Sequence, residues 1–137
     1  MTRDELQQFM NEAFPEASYQ VVCCGAKNAQ LQMATDQRHF RPGGTVSGPT
    51  MFGLADAAIY AAILAELGPV ALAVTTNLSI NFLNKPPLGR DIVANCDLIK
   101  VGKRLVVAQV TLHSEGLKDP VAHATGTYSI PPGTMAT

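Results

Sequence analysis

The sequence predicts a single α+β domain in which an antiparallel sheet curls around one buried helix. Three observations predict it. Residues 50–67 place apolar side chains on every face of a helix, from Met51 and Phe52 through Ala57, Ala58 and Ile59 to Leu64, and a helix apolar all round is a buried one. Four extended segments follow it with mostly short connections, which is the pattern of an antiparallel sheet. The chain has 137 residues, 47% of them hydrophobic, which suits one core and one domain over 1–137.

The elements follow in order. Thr2 and Glu5 form a T-x-x-E capping box, which satisfies two orphan backbone donors at a helix start. Leu6, Phe9, Met10, Ala13 and Phe14 continue at helical spacing and Pro15 stops the run, so residues 2–14 read as a helix lying apolar side down. Residues 19–26 and 29–35 read as two strands turned at Ala26-Lys27-Asn28. Residues 36–49 hold three Gly and two Pro and read as a shaped loop. The buried helix ends at Gly68-Pro69.

Residues 72–83 alternate, with Val74, Thr76, Leu78, Ile80 and Phe82 on one face and Thr75, Asn77, Ser79 and Asn81 on the other. Residues 91–100 and 104–113 read as a hairpin around Val101-Gly102-Lys103, and residues 120–130 as the last strand. The tail 131–137 is expected to be disordered.

Composition excludes several classes. A net charge of −1 provides no bulk basic surface, so nucleic acid is not an expected partner. The longest apolar run, Met51 to Leu67, is interrupted by Asp56, Tyr60 and Glu66, so no membrane span is expected. The charged N-terminus lacks the apolar segment of a signal peptide, and the protein is expected in the cytoplasm. Cys23, Cys24 and Cys96 make neither a disulfide framework nor a CxxC pair and read as small hydrophobes. His113 and His123 have no partners at metal-ligand spacing, so no metal site is expected. Charged residues are 15% of the chain, against about 25% in ordinary soluble domains, which suggests surface hidden in an oligomer.

Two features point to chemistry. Asp56 is the only charged residue between Arg41 and Glu66, and it sits two turns into the buried helix. Capping does not explain it there, and an unpaired buried carboxylate costs several kcal/mol. A carboxylate aimed into a cleft, as general base or nucleophile, accounts for it. The loop Gly43 to Thr50 feeds this helix, and Gly48-Pro49 fits a helix start. Free N–H groups at such a start, with the positive end of the helix dipole, suit a carbonyl oxygen or oxyanion.

Gly44-Thr45-Val46-Ser47-Gly48-Pro49, followed after four residues by Leu54-Ala55-Asp56, resembles the hotdog-fold acyl-CoA thioesterases, in particular the phenylacetic-acid-degradation type. Their motif is roughly N-x-x-G-x-x-H-G-G-x-x-x-x-L-x-D. Residues 75–83 look like that family's next strand and Gly102 to Leu105 like its basic hairpin. The resemblance spans residues 35–130. It implies a hotdog fold and hydrolysis of an acyl-CoA thioester to free acid and CoA. Asp56 falls on the catalytic carboxylate and Gly48 on the glycine whose N–H polarises the thioester carbonyl. Thr75 falls near a hydroxyl that orients water, with Thr76 and then Asn77 beside it as substrate-binding candidates.

Two positions depart from the motif. Ser47 stands where the family has His, and Arg41 where it has Asn. Ser47 donates a hydrogen bond but shuttles no proton near neutral pH. Arg41 offers a bidentate donor. These departures keep open a non-catalytic acyl-CoA-binding protein. His39-Phe40 with Pro42 is similar to the His-Phe-Pro loop of hotdog hydroxyacyl dehydratases, which keeps a dehydratase open, with His39 otherwise a wall of the substrate pocket. For the CoA phosphates the candidates are Lys85, Arg90, Lys100, Lys103 and Arg104, with Arg90, Lys103 and Arg104 preferred. The resemblance implies no cofactor beyond the coenzyme A of the substrate. It also implies homodimers joined edge to edge, with Asp56 and Gly48 contributed by different copies, and pairing of dimers into tetramers.

Overall fold

The computed structural model describes residues 1–132 of the chain. The elements are α1 (Arg3–Ala13), β1 (Tyr19–Gly25), β2 (Asn28–Met33), a 3-10 turn (Gln37–His39), β3 (Phe40–Arg41), β4 (Thr45–Val46), α2 (Gly48–Leu67), β5 (Val74–Phe82), β6 (Ile92–Val101), β7 (Leu105–Ser114) and β8 (Pro120–Ser129). Residues 133–137, most of the tail expected to be disordered, lie outside the described residues.

Six strands form one sheet in the order β1-β2-β6-β7-β8-β5, with every neighbouring pair antiparallel. The sheet curls around α2, whose Leu54, Ala55, Ala58, Ile59, Ala61, Ala62, Ile63 and Leu64 are fully buried. This is the hotdog architecture. The alanines of α2 keep it thin, and in β8 Gly126 leaves room for the Ile59 side chain. By length and composition α2 is apolar enough to cross a membrane; in this fold it is the core helix.

The loop before α2 holds more structure than its composition suggests. Asp36 caps the 3-10 turn, and β3 pairs with β4 through Phe40 and Val46. Gly43 and Gly44, with φ of 101° and 78°, make the tight turn between them, in a backbone region open to glycine. Strands of two residues carry no period to read. α2 starts at Gly48 rather than residue 50, because Ser47 is its N-cap and accepts from the Thr50 N–H at 3.3 Å.

The two edges of the sheet are treated differently. Along β1, α1 supplies side-chain partners for the outward backbone groups. Gln7 donates to the Tyr19 carbonyl (3.0 Å) and accepts from the Val21 N–H (2.7 Å), and Arg3 Nε donates to the Val21 carbonyl (2.8 Å). Unpaired edge groups invite association with another chain, and over Tyr19–Val21 these groups are occupied. The β5 edge has no such cover among the described residues. Its Val74 and Phe82 are 54% and 52% exposed.

β5 also departs from simple alternation. Thr75 pairs with Tyr128, but the next pair is Asn77 with Thr127, which leaves Thr76 as an extra residue. Such a bulge re-aims side chains. Thr75, not Thr76, joins Leu78 and Ile80 on the helix side. Thr76 donates to the Thr127 carbonyl at 3.1 Å, and Val74 turns outward.

Candidate active site

Asp56 is half-buried on α2. Its Oδ1 accepts from Thr75 Oγ1 at 2.7 Å and from the Tyr128 hydroxyl at 2.7 Å. The Tyr128 hydroxyl also lies 3.1 Å from the Asp56 carbonyl oxygen. Among the described residues nothing donates to Oδ2. The cross-strand pairing of Thr75 with Tyr128 explains the convergence, because residues directly opposite in an antiparallel pair face the same side of the sheet.

A cluster of aromatic rings adjoins this carboxylate through Tyr128. Tyr60 stacks on Tyr128 with centroids 6.3 Å apart, and Phe14 meets Tyr19 and Tyr60 edge-on at 5.8 and 5.9 Å. Burial, and next to it the Asp56 charge, pushes the Tyr19 phenol above its ordinary pKa. Burial likewise raises Tyr60. The Tyr128 phenol is pushed far up, first by burial and then by its contacts with Asp56, so it remains a proton donor through the whole physiological range.

The other candidates gather at the start of α2. Gly48 and Arg41 line a cleft of about 740 Å³ with Met51, Phe82 and Lys85. A Cβ on Gly48 would sit 3.3 Å from Phe82 Cζ, so glycine lets the end of β5 lie over the helix start. The Gly48 N–H is the first of the helix and has no intrahelical acceptor. The Ser47 hydroxyl is occupied by Thr50, at 2.7 Å from Oγ1 as well as by the N–H. His39 accepts from the Asp36 N–H through Nδ1 at 3.0 Å. Its ring lines a separate pocket of about 480 Å³ with Phe14, Tyr19, Thr50 and Gly53.

Of the cations, Arg90 donates to the Glu115 carbonyl at 2.8 Å, at the Phe82 end of the sheet. Lys103 and Arg104 are exposed in the hairpin before Leu105, which pairs with Ser129 next to Tyr128. They therefore lie at the Asp56 end. Asn77 is exposed on β5 beyond the bulge.

The structure thus brings Asp56 and Thr75 together and sets Gly48, Ser47 and Arg41 apart from them. Eight residues of helix separate Gly48 from Asp56, or about 12 Å at 1.5 Å per residue. Tyr128 is the residue that reading the sequence missed. It stands in a strand whose apolar alternation makes an aromatic look like ordinary core, and its partner is 72 positions away.

Comparison with known proteins gives the family and the fold. The sequence model of the thioesterase superfamily matches residues 43–121, a stretch that runs from the loop before α2 into β8. The chain belongs to that superfamily. A Pseudomonas aeruginosa protein provisionally named an esterase is 30% identical over 110 residues, covering 77% of this chain and 80% of that one. A crystal structure from Silicibacter sp. TM1040, provisionally named a thioesterase, superposes with a TM-score of 0.89 at 45% identity, covering 96% of this chain and 93% of that one. The E. coli PaaI protein from the phenylacetic acid degradation operon shares the fold, with a TM-score of 0.80 at 18% identity and coverage of 97% and 98%. For this member of the superfamily, thioester hydrolysis is the supported chemistry, and the neighbours' fold is the hotdog described above.

Proposed function

We propose that this protein hydrolyses an acyl-CoA thioester to a free carboxylic acid and CoA, at a site completed by a second copy of the chain. The observation that carries this reading is the half-buried Asp56 carboxylate, held through one oxygen by Thr75 and Tyr128 beside an uncovered strand edge. A carboxylate with one oxygen held and one open suits either removal of a proton from water or direct attack on the carbonyl.

Hydrolysis also needs a donor for the oxyanion. A base and an oxyanion donor acting on one carbonyl stand within about 6 Å of each other, whereas Gly48 of the same chain is about 12 Å along the helix. A second copy resolves this. Gly48 lies under Phe82, at the end of β5, and Asp56 bonds to Thr75, near its start. Antiparallel pairing of β5 with its copy lays the start of one strand against the end of the other. Gly48 of one chain then approaches Asp56 of the next. The capping of β1 at Tyr19 and Val21 and the open β5 edge favour this edge. In that arrangement Arg41 and Lys85 accompany Gly48, while Lys103 and Arg104 accompany Asp56, so cations flank the mouth from both chains for the CoA phosphates.

The test is thiol release across a panel of acyl-CoA thioesters with Asp56→Asn beside the parent. The expected result is turnover by the parent on at least one member and none by the variant, with the oligomer intact. Undiminished turnover by the variant would remove Asp56 from the chemistry. Tight binding with no thiol released from any member would leave a binding protein.

A further inference from the structure

Resting on the reading of Asp56 as base or nucleophile, we infer that Tyr128 is the positioning residue that holds it by Oδ1, together with Thr75, and leaves Oδ2 as the oxygen that acts on the thioester. Both hydroxyls reach the same oxygen at 2.7 Å. An ionised carboxylate oxygen accepts two such bonds readily, and two donors from adjacent strands fix both the side-chain rotamer and the plane of the carboxylate. Water or the carbonyl carbon is then met by Oδ2.

The two donors differ in kind. Thr75 sits on the exposed edge strand and owes its inward direction to the bulge at Thr76. Tyr128 is 3% exposed, paired on both sides, with Thr75 in β5 and Val106 in β7, and stacked on Tyr60. It is the rigid half of the clamp. The titratable groups that interact with Asp56 are Tyr128 from β8 and Tyr19 from β1, while β5 brings only Thr75. Tyr60, from the same helix as Asp56, stands behind Tyr128 and donates its own hydroxyl to the Ala71 carbonyl at 3.1 Å. Both partner phenols are raised by burial, so neither loses its proton where a carboxylate works.

The experiment compares Tyr128→Phe with Tyr60→Phe in steady-state thiol release. Each variant removes one buried hydroxyl from the same aromatic stack and keeps the ring. For Y128F the expected result is a loss in kcat of about 10-fold, within the range for a misplaced catalytic group, with KM within about twofold. Y60F keeps the parent kcat and KM. Thr75→Val, which removes the other donor from the same oxygen, lowers kcat with KM little changed and serves if Y128F does not fold. Parent-like kcat in Y128F, equal losses in Y128F and Y60F, a loss confined to KM, or parent-like kcat in T75V overturns the assignment. Turnover surviving in Asp56→Asn sinks the proposed hydrolysis instead, which keeps the two failures distinct.

Discussion

One added methyl tests the contact between Gly126 of β8 and Ile59 of the core helix. Gly126 lies in β8 opposite Leu78 and Ala108, and its backbone is outside the positive-φ region, so alanine is conformationally allowed. A Cβ there would stand 2.7 Å from Ile59 Cδ1, 2.9 Å from Leu78 Cδ1 and 3.4 Å from the Asn77 carbonyl oxygen. Carbon atoms in contact prefer about 3.5–4.0 Å, so the neighbours must retreat by about 1 Å. Ile59 is fully buried and has nowhere to turn. Overpacking of this kind costs about 1–3 kcal/mol, and exchanging glycine for alanine in a strand returns about 0.5–1 kcal/mol. Taking the middle of both ranges, the expected net loss for Gly126→Ala is about 1 kcal/mol, read as a lowered guanidinium midpoint at fixed protein concentration. Ile59→Val deletes the atom that clashes and alone costs about 1 kcal/mol. If the clash is the cause, the double variant is more stable than the sum of the singles by about 1 kcal/mol. An unchanged or raised midpoint for G126A, or a strictly additive double variant, refutes the argument.

Three further outcomes are expected. Asp56→Asn and Gly48→Pro copies, each inactive alone, regain about one quarter of parent turnover when co-expressed in equal amounts, since half of the random pairs are mixed and each has one intact site; no recovery argues against a shared site. Ser47→Ala removes the N-cap of α2 and lowers unfolding stability by about 1 kcal/mol, measured by the same denaturant titration; an unmoved midpoint refutes the capping role. Burial pushes the Cys96 thiol up to about 12, so it stays neutral at pH 8; mass spectrometry after alkylation should find exposed Cys23 modified and Cys96 spared.

Much of the fold was legible because it rests on local periodicity. The T-x-x-E box at Thr2 and Glu5 is present, with both reciprocal bonds made. The all-apolar run around Asp56 is the core helix, and the four later strands fall within two residues of their expected limits. What escaped depends on distant partners or on an irregularity. The bulge at Thr76 is invisible to an alternation rule, which put Val74 and Thr76 on one face with Leu78, Ile80 and Phe82. The β3–β4 pair is too short to show a period. Gln7 looks like an ordinary polar helix residue until its amide is seen spanning Tyr19 and Val21. The site divides the same way. Asp56 stood out because a charge in an apolar run has a cost, while Tyr128 cost nothing as a core aromatic and so drew no notice.

The unequal edges also govern how far association can proceed. A chain whose sheet is capped over the first half of β1 and open along β5 favours one valence in the plane of the sheet. In the proposed pair, joining two β5 strands uses it on both chains, and the composite sheet then ends on either side in a β1 whose first half is capped by Gln7 and Arg3. That capping disfavours addition of a third copy in register and so limits in-plane growth. A larger assembly is expected to stack through sheet faces. Removal of α1 would uncover those groups and give the proposed pair a second edge to grow from.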